Sequence, residues 1–203
     1  MLLSSPLTTQ LTGRCVAALD YARQLHGQQV RKGTQTPYIA HLLSVAALVL
    51  EDGGDEDEAI AALLHDAIED QGGGATRDEI RRRFGLRVTE IVDGCTDAET
   101  IPKPPWRTRK LAYLVELQTA SAEILRVSNA DKLHNARATL MDYRLLGEEL
   151  WSRFNGGKEG TLWYYRILVD TFERLRSGPL VEELRRTVAE LERLGATTPP
   201  HSP

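Results

Sequence analysis

Apolar residues recur at helical spacing along most of the chain, and short polar or glycine-rich clusters interrupt them. The spacing predicts helices over 7–25, with Thr8 or Thr9 as a cap, and over 38–50, stopped by the acid and glycine cluster EDGGDEDE. A third, alanine-rich helix is expected over 58–70, ended by QGGG. Thr76, with Glu79 three residues on, reads as a capping box opening TRDEIRRRFG, which Gly85 ends. Residues 88–95 form a short helix or an extended piece. Helices over 107–119 and 120–143 follow a proline-rich stretch, TIPKPPW, that is not regular helix. The segment FNGGKEG reads as a loop, or a lid bearing Lys158, before the apolar stripe of LWYYRILVDTFERLRSG. Its aromatic residues Trp163, Tyr164 and Tyr165 are expected in the core, with one tyrosine stacking on a nucleobase as the alternative. Pro179 opens a last amphipathic helix through Leu194. Residues 30–37, rich in Gly, Lys, Thr and Pro, form a loop, and no stretch alternates as a strand would. The chain is therefore read as all-α, a single domain over 1–196 with a disordered tail over 197–203.

Composition narrows the class only a little. The chain has 203 residues, with 41% hydrophobic and 27% charged, as expected for one globular domain with a real core. A net charge of -4 argues against a surface built for nucleic acid, but leaves room for a local basic pocket. Two distant cysteines, Cys15 and Cys95, suit a reducing compartment, and the cytoplasm is the expected location. No signal peptide is visible, and the apolar run LLSVAALVL falls short of the ~20 residues a bilayer span needs, so no membrane partner is expected.

The chemistry concentrates in LLHDAIED, residues 63–70. His65 and Glu69 are four apart, as are Asp66 and Asp70, so each pair shares a helix face one turn apart. Carboxylates amid apolar residues need a cation or another partner. A metal held by His65 and Asp66 meets that need, and so does an ordinary exposed polar face. Two further fragments bear on the choice. His41 heads an apolar helix after Tyr38-Ile39-Ala40, and Asp131 follows the apolar turn Ile124-Leu125-Arg126-Val127 within SNADKLHN. Two imidazoles and two carboxylates form a hard to borderline donor set, suited to manganese, iron, magnesium or zinc.

The order His41, His65-Asp66, Asp131 resembles the H…HD…D pattern of the HD phosphohydrolase superfamily. RKGTQTPYIAH, LLHDAIED, EIRRRFG, IVDGCTD and ADKLHNAR, in order, are similar to the hydrolase domain of RelA/SpoT-type alarmone enzymes and to the stand-alone small alarmone hydrolases. The chain is too short to hold a synthetase or regulatory domain as well. The resemblance implies an HD-type helical bundle whose metal, usually manganese in that family, is held by His41, His65, Asp66 and Asp131. Glu69 and Asp70 match the pair that positions and activates water. Arg31, Lys32, Lys103, Lys132 and Asn135 match positions that reach a nucleotide's base, ribose or phosphates. His134 is read as packing rather than a further ligand, and His26 and His201 as incidental. Asp97 stands where the long alarmone enzymes carry lysine, so the phosphate-binding surface is expected to differ.

The implied activity is release of pyrophosphate from the 3′ position of guanosine tetra- or pentaphosphate, a small-molecule nucleotide substrate. Two alternatives remain: hydrolysis of another phosphorylated nucleotide such as NADPH, and a non-catalytic nucleotide sensor. The oligomeric state is open.

Overall fold

The computed structural model describes residues 9–97 and 102–197, and their regular structure is helical throughout. Residues 198–203, expected as a disordered tail, and the Thr100-Ile101 part of TIPK lie outside them, as does His201. None of the described helices is long and apolar enough to cross a membrane.

Helix α1, Gly13–His26, starts later than its apolar spacing predicts. The cap is Thr12, whose hydroxyl accepts from the Arg14 amide at 3.1 Å; Thr9 instead donates to the Gly54 carbonyl at 3.0 Å, and Thr8 lies outside the described residues. The loop to α2, Ile39–Glu51, is pinched by an isolated antiparallel bridge between Val30 and Pro37. Helix α3, Glu56–Leu64, opens on a full capping box between Asp55 and Glu58.

The single helix expected over 58–70 is two. His65 ends α3, and Asp66 precedes a one-turn α4, Ala67–Asp70. The capping box expected at Thr76 is also absent. Helix α5, Gly73–Phe84, begins three residues before Thr76, because Gly72 turns the chain with φ +118°, a conformation that favours glycine. The Thr76 hydroxyl donates to the Gln71 carbonyl at 2.5 Å, and Glu79 pairs with Arg82 and Arg83. Helix α6 covers Leu86–Cys95, α7 Trp106–Leu117, and α8 Ala122–Leu146, the last capped by Ser121. A 3-10 turn, Gly147–Arg153, leads to α9, Gly157–Leu175, and α10, Pro179–Thr197.

Helix α8 is the axis of the bundle, packed on by α2, α3, α6, α9 and α10. Leu42, Val45 and Val49 of α2, Ile60 and Leu64 of α3, and Ala130, Leu133 and Ala136 of α8 are fully buried in one continuous core. Each large aliphatic side chain removed from water there contributes ~1.5–3 kcal/mol. A buried ionic cluster adds directional ties. Arg126 of α8 reaches Asp52 at 3.2 Å and also Glu58, while Arg176, just after α9, pairs with the same Asp52.

The glycine-rich stretch before α9 is loop only as far as Gly156. Lys158 is not on a lid: its ammonium donates to Glu148 at 2.7 Å and to the Gly195 carbonyl at 2.8 Å, bracing the end of α10.

Candidate metal centre and substrate cavity

Four expected site residues meet where α2, α3, α4 and α8 converge. His41 sits in the first turn of α2, His65 and Asp66 at the α3–α4 break, and Asp131 within α8. In an unbroken helix, neighbouring residues point about 100° apart. The break turns His65 and Asp66 to the same point, with His65 Nε2 3.0 Å from Asp66 Oδ2. Ligand atoms of His41, His65 and Asp66 lie within 4.8 Å of one another. Asp131 Oδ1 is 3.2 Å from His41 Nε2 and 3.6 Å from His65 Nε2.

Hydrogen bonds fix the orientation of each group. His65 Nδ1 is 2.8 Å from the Ala62 carbonyl, an acceptor only, so Nδ1 carries hydrogen and the ring presents Nε2 inward. His41 Nδ1 meets His134 Nδ1 at 2.8 Å. Burial, His41 and Arg31 hold His134 down to about 4, so it is neutral near pH 7 and able to accept from His41. His134 thus backs a site histidine, a role beyond packing. Tyr38 donates to Asp66 Oδ2 at 2.5 Å, while Lys132 and Asn135 hold Asp131 Oδ2 and Oδ1, each at 2.5 Å.

This arrangement fits a divalent cation. His65 is 2% exposed, and its Nε2 has no hydrogen-bond partner. With hydrogen on Nδ1, the Nε2 lone pair of a neutral ring faces two carboxylate oxygens, three acceptors with no donor between them. Without a metal the conflict is relieved by a proton. Burial opposes the imidazolium, but Asp66 and Asp131 outweigh it and hold His65 well above the ordinary histidine range. Both carboxyls in turn sit well below theirs, despite burial, chiefly through His65 for Asp66 and Lys132 for Asp131. A metal relieves the same conflict, and imidazole with carboxylate is a donor set for divalent transition ions.

A cavity of about 550 Å³ opens beside His41. Arg31, Lys32, Lys110, Lys132 and Arg153 bring positive charge to its lining. Arg31 also donates to Asn135 at 2.8 Å. Arg153 packs over Gly33, where φ is +75° and an added Cβ would sit 2.7 Å from the arginine side chain. Trp106, Phe154, Tyr164 and Tyr165 supply aromatic wall. The two tyrosines are buried as expected of core, but both also line the cavity, and the Tyr164 hydroxyl has no partner.

Other expected residues do not line the cavity. Lys103 does not line the cavity; its ammonium donates to Glu69 Oε1 at 2.7 Å. Glu69 Oε2 accepts from the Asp97 amide at 3.3 Å, and Asp70 accepts from Gln29 at 2.9 Å. Asp97 is closed off by Arg109 and Lys110. His26 is not incidental: it is 2% exposed and stacks on Tyr38 with ring centroids 5.3 Å apart.

The HD domain model matches residues 18–161. The chain belongs to the HD domain family. It is 31% identical over 191 residues to the guanosine-3′,5′-bis(diphosphate) 3′-pyrophosphohydrolase of Aquifex aeolicus, covering 85% of this chain but only 26% of that one. The enzyme of the same name in Xenopus tropicalis is 39% identical over 138 residues, 66% of this chain and 72% of the relative. A solved metazoan ortholog of SpoT, described as hydrolysing ppGpp, superposes with a TM-score of 0.73 over 90% of this chain and 98% of its own, at 24% identity, a likeness of fold. A structure from Listeria monocytogenes EGD-e gives 0.67 at 29% identity, covering 75% of this chain and 99% of that one.

Sequence reasoning missed Tyr38, Lys110 and Arg153. Tyr38 stood inside the PYIAH motif, one turn before His41, which was its available signal. Arg153 carried none, because its place depends on a contact with Gly33 across the fold.

Proposed function

We propose that this chain is a divalent-metal-dependent phosphohydrolase that removes the 3′-pyrophosphate of ppGpp and pppGpp, leaving GDP or GTP. The observation that carries the reading is the unpartnered His65 Nε2 between Asp66 and Asp131, next to a cavity rich in arginine and lysine. The relatives named for this reaction support the choice of substrate.

His41, His65, Asp66 and Asp131 are the proposed ligands, and manganese the proposed ion. A divalent cation there supplies a Lewis acid for phosphoryl oxygens and acidifies water. The rest falls to the chain. Tyr38, His134, Lys132 and Asn135 keep the donor atoms aimed inward. Glu69 and Asp70 hold the attacking water and accept its proton. Water adds to phosphorus as the bond to the ribose 3′ oxygen breaks, and the proton taken from the water passes on to that oxygen. Arg31, Lys32, Lys110, Lys132 and Arg153 neutralise the phosphates, and the aromatic wall receives the nucleoside. Lys103 acts through Glu69. The free thiols of Cys15 and Cys95 suit a reducing compartment, so the cytoplasm is the proposed location.

The test is product analysis with the purified protein, Mn²⁺ and four substrates: ppGpp, pppGpp, NADPH and GTP. Pyrophosphate from the first two alone is expected. Orthophosphate from NADPH alone would reassign the site to a dinucleotide phosphate. Binding without turnover, whichever divalent ion is supplied, would make the chain a sensor.

A further inference from the structure

His26 ends α1, and Gln29 follows in the loop; neither belongs to the site described above. Gln29 Nε2 donates to Asp70 Oδ2 at 2.9 Å. Because a carboxylate only accepts, this bond fixes which way the amide faces. Its oxygen is then left for donors, and it has two: His26 Nδ1 at 2.7 Å and Gln71 Nε2 at 3.0 Å. All three bonds are mutually consistent, so Gln29 has one rotamer and one amide orientation that satisfy them. His26, itself buried, lies face to face with Tyr38, with an interplanar angle of 22°. Tyr38 in turn donates to Asp66.

We propose that His26 and Gln29 form a positioning layer beneath the active site, aiming Asp70 through the Gln29 amide and Asp66 through the stacked Tyr38 ring. The proposal rests on the reading that Asp70 handles the attacking water and Asp66 holds the metal. It explains why a histidine buried away from the metal donors is hydrogen-bonded on one nitrogen only, with Nε2 left without a partner. Its function lies in the Nδ1 donor and the ring face. It also gives Asp70, which is solvent-exposed, a fixed orientation.

Two branches make the layer separable by experiment. Gln29→Leu removes the tie to Asp70, and with it the acceptor for His26 and Gln71, but leaves the His26 ring on Tyr38. His26→Phe keeps a ring against Tyr38 but drops the donor to Gln29, and His26→Leu removes both. Steady-state hydrolysis of ppGpp with Mn²⁺, and Mn²⁺ affinity by calorimetry, are measured for each. Gln29→Leu and His26→Phe are expected to lower kcat about tenfold or more, with KM and Mn²⁺ affinity near wild type. His26→Leu is expected also to weaken Mn²⁺ binding several-fold. In an Asp70→Asn background, Gln29→Leu is expected to cost nothing further, which a general structural defect would not reproduce. Wild-type kcat in both Gln29→Leu and His26→Phe, while Asp70→Asn is slowed about a hundredfold but still measurable, would overturn the layer and leave the site reading intact. Full activity of Asp70→Asn would overturn the reading on which it rests. An equal further loss in the double variant would reduce Gln29 to a stability role and overturn the proposal.

Discussion

Replacing Arg126 with methionine tests how the scaffold holds the site together. Arg126 links α8, which carries Asp131, to the α2–α3 connection, which leads into His65 and Asp66. The Asp52 and Glu58 side chains are only 3% and 4% exposed, so removing the guanidinium leaves buried negative charge without its main partner. Asp52 keeps Arg176, and Glu58 keeps the Asp55 amide at 2.8 Å, which sets the loss at the lower end of the usual range for a broken buried pair, about 3 kcal/mol. For a domain of this size, that is a fall of roughly 6–12 °C in melting temperature. The assay is thermal unfolding of Arg126→Met beside the double variant Glu58→Gln/Arg126→Met. A neutral amide at position 58 can still serve the capping box and buries no unpaired charge, so the double variant should recover part of the loss. A melting temperature of Arg126→Met within about 2 °C of wild type, or a double variant worse than the single, would show that Asp52 and Glu58 do not depend on this guanidinium.

Three more outcomes follow from individual contacts. Arg153→Gln should raise KM for ppGpp roughly tenfold with little change in kcat, the equivalent of one charge-assisted hydrogen bond of about 1.5 kcal/mol; an unchanged KM would remove Arg153 from the substrate surface. His134→Phe should weaken Mn²⁺ binding about tenfold in calorimetry, because His41 loses the acceptor at its Nδ1. Burial would raise the Asp97 carboxyl, but Lys110 and Arg109 outweigh it and hold it below the ordinary range. A carboxyl depressed in the folded state stabilises above its unfolded value of about 4, and that contribution is lost as the pH falls through the folded value. Asp97→Asn should therefore be less stable than wild type at pH 7 in urea unfolding, with the gap closing in acid.

What could be read from the sequence was whatever local chemistry controls. The acid and glycine clusters after Leu50 and after Asp70 ended helices as expected, and the four proposed ligands stood out through the H…HD…D order as well as through imidazole and carboxylate amid apolar neighbours. The break at His65 was not legible. Leu64, Ala67 and Ile68 are all compatible with continuous helix, and the contacts that gather His65 and Asp66 with His41 and Asp131 are tertiary. Thr76 misled for a related reason: a glycine in the left-handed region at Gly72 starts α5 before the threonine can cap it. Lys103 and Lys158 looked like mobile cations near substrate, yet their partners, Glu69 and Glu148, lie on other elements that sequence spacing does not place. Tyr164 sat correctly on an apolar stripe, but nothing in the stripe shows that its hydroxyl ends at a cavity.

A metal held at His41, His65, Asp66 and Asp131 is proposed to drive phosphate chemistry in this chain. The decisive variant is Asp66→Ala, with Mn²⁺ binding, ppGpp turnover and helical content measured on the same sample. Asp66 opens a single turn of helix and has no capping hydrogen bond of its own, so the fold should survive its loss. The expected result is wild-type circular dichroism with Mn²⁺ binding and turnover both gone. Turnover near wild type in that variant would show that the chemistry does not run through a metal at these four residues.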